Sequence, residues 1–521
     1  NTAVGHQALQ ANTTANSNIA IGVDTLNDNT TGALNVAVGT YALDTNTTAE
    51  RNTAIGYAAM DANTEGQYNT AVGANALDAN TTASYNTTVG YRSLGANTTG
   101  SENTAIGADA GLSITTGSYN VAMGYRALDT NTTGDYNVAL GRRALDANTT
   151  ASNNVAIGRS SMESNTTGTN NVAVGSTSLD ANTEGDQNVA IGRDALSANT
   201  TGQDNVGVGY ASLQANTTAN NNTGLGSKAL RTNTTGAGNT AVGTEALLDN
   251  TTGSNNTAVG ENALANNTTA GENTAVGQNA LLTNTTGANN VSMGHDSMRL
   301  NTTGQLNTGV GYDALRANTT GTENSAFGAN ALDANTTGIR NVAIGYQALT
   351  NNTEGDNSTA LGYAALLVNT TGESNVALGS GTLLSNTTAD YNTAVGTNAM
   401  LLNTTGTQNV AVGTFALDAC TTSGSNTAIG YGALGSLTTS GGGNTAVGTN
   451  SLLSCTTGDS NSALGFECLE KVTTGIHNTG LGYRAGFTQT TGSYNVTVGN
   501  FTGDAITTGT DNTFLGYGCG S

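Results

Sequence analysis

The chain predicts an all-β fold, a parallel β-solenoid of about thirty seventeen-residue coils, and three observations carry that prediction. One phrase, N-[T/V]-A-[V/I/L]-G-x-x-A-L-x-A-N-T-T-G-x-x, restarts every seventeen residues from Asn1 through Asn426 without slippage. Glycine holds position 5 in all 31 starts, and threonine holds position 13 in all 30 complete units. Proline is absent from all 521 residues, as expected where nearly every backbone N–H donates to a neighbouring strand. Such periodicity overrides the usual arithmetic of length to domain count.

Each part of the unit has a local reason. Glycine at 5 and usually at 15, with Asn-Thr-Thr between, lowers helix propensity at every turn. Positions 2–4 (Thr-Ala-Val, Val-Ala-Ile) are β-prone and alternate between two faces. Positions 8–14 are expected to form a second extended piece, with the glycines at 5 and 15 marking corners. A unit this short cannot bury an apolar face alone, but stacked coils build a continuous parallel ladder. At about 4.8 Å per coil, thirty coils would span on the order of 140 Å.

The register divides the chain. Residues 1–425 are regular units with an Asn-Thr-Thr corner, 426–443 form a single eighteen-residue unit ending in Gly441-Gly442-Gly443, and 444–521 resume the count. From Cys420 onward position 12 changes to Cys420, Leu437, Cys455, Val472, Gln489 and Ile506, as it does earlier at Ile114. A buried side chain at position 12, and a differently packed C-terminal segment, are expected.

The large apolar side chains are expected inside at positions 4 and 9, such as Val259 and Leu264, with the alanine of position 3 on the opposite face. Two such side chains form a thin core against the ordering of seventeen residues. A small, uncharged position 3 would permit another chain to approach closely, so the expected partner is self, most simply a homotrimer.

At N-x-A-[V/I]-G, as in Asn69–Gly73 (NTAVG) and Asn341–Gly345 (NVAIG), the chain resembles the head repeats of YadA-type trimeric autotransporter adhesins. That resemblance implies a trimer of left-handed parallel β-rolls, although the adhesin unit is shorter. Three units, Ala110-Gly111…Ile114-Thr115-Thr116-Gly117, Ala485-Gly486…Gln489-Thr490-Thr491-Gly492 and Thr502-Gly503…Ile506-Thr507-Thr508-Gly509, look like repeats of bacterial and phage tail-fibre-like proteins. So does Asn512-Thr513-Phe514-Leu515-Gly516-Tyr517-Gly518. In such proteins an endosialidase-type intramolecular chaperone often follows and is cleaved off after a serine; the chain ends at Ser521.

Charge narrows the partners. Thirty-six acidic residues against 14 basic give a net charge of −22, which disfavours nucleic acid and anionic membrane surfaces. Acids cluster at positions 7, 10 and 16, for example Asp61, Asp78 and Asp146 at position 10. They read as a solvated surface, with a calcium-binding ladder as the alternative. No apolar run approaches the eighteen or so residues of a membrane span. The missing initiator methionine and signal peptide imply a processed or truncated N-terminus, and bare solenoid ends imply flanking domains or end-to-end stacking.

Candidate sites are few. The histidines His6, His295 and His477 lie many coils apart, so no metal cluster or catalytic triad is expected, no cofactor is implied, and the chain reads as a non-enzyme. Cys420, Cys455, Cys468 and Cys519 read as free, buried, small apolar substitutes, because same-position pairs lie two or three coils apart. Position 12 is asparagine in 23 units, and in 20 of them Asn-x-Thr also forms a glycosylation acceptor. Those are Asn12, Asn29, Asn46, Asn80, Asn97, Asn131, Asn148, Asn165, Asn199, Asn216, Asn233, Asn250, Asn267, Asn284, Asn301, Asn318, Asn335, Asn369, Asn386 and Asn403. The competing structural reading is an asparagine ladder beside stacked threonines. Ice binding by the threonine array is a third, interrupted at Glu65, Glu184 and Glu354. Ten of seventeen tyrosines fall at position 6 and six at position 17, expected to pack over the corner glycine or to stack on a glycan. The whole reads as an extracellular or cell-surface fibre, an adhesin stalk or head in contact with glycans or neighbouring cells, with a phage-type tail-fibre shaft as the alternative.

Overall fold

A computed structural model describes residues 1–520; Ser521 lies outside the described residues. The chain divides into two compact units, one covering Asn1–Glu261 and one beginning at Asn262. In each, every coil contributes one three-residue strand at positions 2–4. The first unit holds β1 (Thr2–Val4) to β16 (Thr257–Val259), the second β17 (Thr274–Val276) to β31 (Thr513–Leu515).

Within each unit every strand pairs in parallel with the next in sequence. Register never drifts: Ala156 faces Ala139 on one side and Ala173 on the other. The eighteen-residue unit keeps it too, pairing Thr427 with Thr445. Its extra residue is absorbed by the glycine run, where Gly441 and Gly443 take φ values of 98° and 71°. Each unit is thus a parallel β-solenoid with one coil per repeat, as the periodicity predicts.

The second extended piece does not form. Positions 6–11 are consecutive turns, because positions 7, 9 and 17 adopt left-handed backbone. Asp24, Leu26 and Leu34 have φ of 53°, 50° and 64°, and the same recurs coil after coil. Non-glycine residues pay about 1–2 kcal/mol for this conformation. The main chain recovers the cost by bonding to the coils on either side: the Asp24 N–H donates to the His6 carbonyl at 2.9 Å and that of Leu26 to the Ala42 carbonyl at 3.1 Å.

Strand orientation is the reverse of the expectation. The alanines of position 3 point inward and are fully buried, as are those of position 8 and the leucines of position 9. Position 4 points out, leaving Ile55, Ile106 and Leu361 40%, 40% and 46% exposed. The narrow interior explains it: with the leucine of position 9 inside, only a small side chain fits beneath the strand, alanine in most coils and Thr88, Ser292 or Thr497 in a few. In three places even that is too much. Where position 8 carries Ser212, Ser297 or Cys468, the next coil has Gly224, Gly309 or Gly480 at position 3, and a Cβ there would come within 2.6, 2.8 and 2.6 Å of the oxygen or sulfur.

The corner glycines differ as well. At position 5, Gly141 has φ of 138°, and an added Cβ would sit 2.4 Å from the Gly158 carbonyl oxygen of the next coil. Position 15 does not require left-handed backbone, and seven coils carry alanine there, Ala49 and Ala151 among them. Gly141→Ala should therefore cost on the order of 2–4 kcal/mol. Hydrogen exchange is expected to show opening confined to the neighbouring coils. Gly134→Ala, at position 15, adds no positive-φ strain but would bring a Cβ 2.1 Å from the Ala151 carbonyl oxygen, so opening of the same neighbouring coils, smaller than for Gly141→Ala, is expected there.

Candidate functional site

The polar groups that recur in every coil converge on one inner corner. The position-1 asparagine makes two bonds through its side chain. Asn35 Nδ2 donates to the Ala49 carbonyl of its own coil at 2.9 Å, and Asn35 Oδ1 accepts the backbone N–H of Asn52 from the next coil at 2.9 Å. The position-12 asparagine reaches the same carbonyl from the other side: Asn46 Nδ2 lies 3.2 Å from the Ala49 oxygen and 2.8 Å from Asn29 Oδ1 of the preceding coil. Position 13 completes the corner, with Thr47 Oγ1 donating to the Thr64 carbonyl at 3.2 Å. Asn-Thr-Thr is thus a zipper built from side chains.

The twenty acceptor asparagines take part in this corner in the folded coil. From Asn29 to Asn403 each is fully buried, and only Asn12 of the first coil is partly exposed. The amide nitrogen that would carry a sugar already donates two hydrogen bonds at, for example, Asn148, to Asn131 Oδ1 at 2.9 Å and the Ala151 carbonyl at 3.0 Å. A glycan at any of these would have to displace the ladder.

The departures from asparagine keep part of the arrangement. Ser358 at position 1 still accepts the Asn375 N–H at 3.2 Å. Cys420 and Cys455 at position 12 turn their thiols to the same carbonyls, of Ser423 and Gly458, at 3.4 and 3.7 Å. Both are free and buried, and burial pushes their thiols up to about 11. Cys468 is likewise buried and pushed up to about 12. Cys519, expected buried, is exposed. Where leucine at position 9 gives way to Gly111 or Gly503, an isoleucine takes position 12: Ile114 Cδ1 lies 3.0 Å from where a Gly111 Cβ would be, Ile506 Cδ1 3.7 Å for Gly503. The space emptied by one side chain is filled by the other.

The outer corner carries the charge. Carboxylates at positions 7 and 10 interleave with several of the arginines. Arg126 bridges Asp129 at 2.7 Å and Asp146 of the next coil at 3.4 Å, and Arg143 bridges Asp146 at 3.0 Å and Glu163 at 2.6 Å. Asp44, Asp61 and Asp78 stack on successive coils without such a partner for Asp44 or Asp61. Burial, then Asp61, Asp28 and Asp24, push the Asp44 carboxyl up to about 6. Burial raises Asp61 and Asp78 too.

The tyrosines are exposed, Tyr57 and Tyr391 to 56% and 62%. Tyr68 stacks on Tyr85 at 5.0 Å and 5°, and Tyr119 on Tyr136 at 4.8 Å and 2°. Rings so paired cover one face of each other, while Tyr85 and Tyr136 remain 58% and 55% exposed. The histidines remain far apart, but among the described residues His295 joins Asp296 and Asp313, with one donor atom of each within 4.8 Å of the others. The expectation that no metal-capable group could assemble overlooked this, because it counted histidines and not the position-7 aspartates that stack beneath them.

No family model matches the chain, and no curated protein matches it.

Asn137→Leu should remove the bond to the Ala151 carbonyl and leave the Asn154 N–H without its acceptor. The cost is about 2–4 kcal/mol, read as faster exchange at the Asn154 amide. For Asp44 the sign is fixed by the raised carboxyl: the folded chain keeps that proton to higher pH than the unfolded chain. Its stabilising contribution is complete below about pH 4 and lost as pH rises through about 6. Asp44→Asn should raise stability at pH 7.5, by about 1 kcal/mol after solvent screening, and change nothing at pH 4 in a thermal melt.

Proposed function

We propose that the protein is a structural fibre of the cell exterior, built to project and to hold contacts and not to transform a substrate. What supports this is the use of three recurrent polar positions in coil-to-coil bonding: Asn at 1, Asn at 12 and Thr at 13 all bond within or between coils. The threonine of position 14 stays exposed, and the repeated unit is a way of adding length without adding a new fold.

The outward sheet face supports self-association, with a homotrimer as the proposed form. Positions 2 and 4 carry no charged residue in any of the 31 strands, although the chain holds 50 charged residues elsewhere. Leu464 and Ile157 are 50% and 39% exposed there. A continuous apolar stripe of this kind marks an interaction surface. Because position 3 faces inward, the proposed contact runs through positions 2 and 4 and not through position 3. A second copy has the matching period, so its side chains mesh at every coil. A left-handed coil and glycan-bearing neighbour surfaces as further contacts belong to the same reading.

Sedimentation tests it. The chain should run as an oligomer, and Ile106→Glu with Ile157→Glu should shift it to monomer at unchanged circular dichroism. A parent chain that is monomeric at tens of micromolar would overturn self-association.

A further inference from the structure

We propose that His295, Asp296 and Asp313 form a binding site for a borderline divalent transition ion of the zinc class. The residues come from positions 6 and 7 of one coil and position 7 of the next. Main-chain bonds lock their backbones to neighbouring coils: the Asp313 N–H donates to the His295 carbonyl at 3.1 Å, and the Asp296 N–H to that of Gln278 at 3.0 Å. One imidazole nitrogen and two carboxylate oxygens lie within 4.8 Å of one another. His295 Nδ1 is 3.7 Å from Asp296 Oδ1.

Asp313 shares an orphaned Oδ1 with Asp24 and Asp109 at the same position of other coils, but among the described residues only Asp313 has both a histidine and a second aspartate grouped with it. It is buried, 8% exposed, and its Oδ1 has no hydrogen-bond donor among the described residues. A buried carboxylate oxygen without a donor is costly unless something positive meets it. The arginines of this corner engage the other oxygens: Arg299 lies 3.4 Å from Asp296 Oδ2, and Arg316 4.0 Å from Asp313 Oδ2. Asn279 Nδ2 donates to Asp296 Oδ1 at 2.9 Å and orients that carboxylate. The His295 ring stacks on Tyr312 at 5.5 Å and 10°, which fixes its plane. The same arrangement begins at the first coil, where His6 Nδ1 is 3.9 Å from Asp24 Oδ1 of the next, but there Gln7 stands where Asp296 would be.

The donor set selects the ion. One nitrogen and two hard oxygens suit zinc, with metal–ligand distances of about 2.0–2.2 Å and water in the remaining position. Donors now up to 4.8 Å apart must draw together around it, and His295, half-exposed, is the one free to move. The two arginines lower the local negative charge and so weaken binding of the cation.

Titration calorimetry of the full chain with zinc chloride tests this. The parent should bind zinc at a site that His295→Gln and Asp313→Asn each weaken about tenfold or more. Cobalt should give a ligand-field absorption that His295→Gln abolishes, and His295 is exposed enough for that variant to fold normally. Zinc binding that is absent from the parent, or unchanged in both variants, would overturn the proposal.

Discussion

The carbonyl at position 15, gripped by the side-chain amides of positions 1 and 12, is the interaction on which the coil depends. A seventeen-residue loop this narrow buries its inner corner, and a buried carbonyl without a donor costs about 1–3 kcal/mol. Asn52 Nδ2 and Asn63 Nδ2 both reach the Gly66 oxygen, at 2.8 and 3.0 Å. Because Asn52 Oδ1 also accepts the Asn69 N–H at 2.9 Å, the same side chain closes one coil and sets the position of the next. The core supplies little else beyond alanines and one leucine per coil. Register is therefore specified by polar satisfaction: a one-residue slip would put alanine where an amide must be.

Against that fixed corner the remaining positions adjust in pairs. Gly111 with Ile114, and Gly503 with Ile506, exchange volume between positions 9 and 12. Cys468 with Gly480, and Ser212 with Gly224, exchange it between one coil and the next. At position 3, Thr88 sits beside Ser93 of position 8, the two hydroxyls bonded to each other. Close packing explains why such changes come together: a single methyl added or lost in so small an interior has no slack to absorb it.

The solenoid, its period and its parallel register were legible in the sequence because Gly5, Asn1 and Thr13 recur without exception or nearly so. The facing of the strand was not. Three residues with an apolar group on both sides, Thr-Ala-Val, offer no parity signal, and the larger side chain was assigned to the core by default. The left-handed residues were hidden for a different reason: leucine at position 9 gives no warning of φ near 50°. A signal existed in the glycines that stand in for it at Gly111, Gly486 and Gly503, and for position 7 at Gly381 and Gly432, all with φ of 60–70°. Burial of position 12 was readable from Leu437 and Val472, and it is what turns twenty apparent glycan acceptors into a ladder. The grouping of His295 with Asp296 and Asp313 needed the stacking of position 7 on itself, which a search for histidine pairs does not include.

Segregation of charge follows from the same geometry and bears on how copies meet. The turn at positions 6–11 and the stretch at 16–17 carry nearly all the ionised groups, and the strand face carries none. With a net charge of −22, two chains approaching by their turns repel and leave carboxylates such as Asp44 and Asp61 facing more of their own kind. Approach by the strand faces removes Ile, Val and Leu side chains from water and keeps the acids solvated. In the proposed assembly the outward Val/Ile/Leu column and the acidic corner would act together: one attracting along the sheet, the other restricting contact to it. Such a combination would favour a closed set of copies over disordered lateral aggregation.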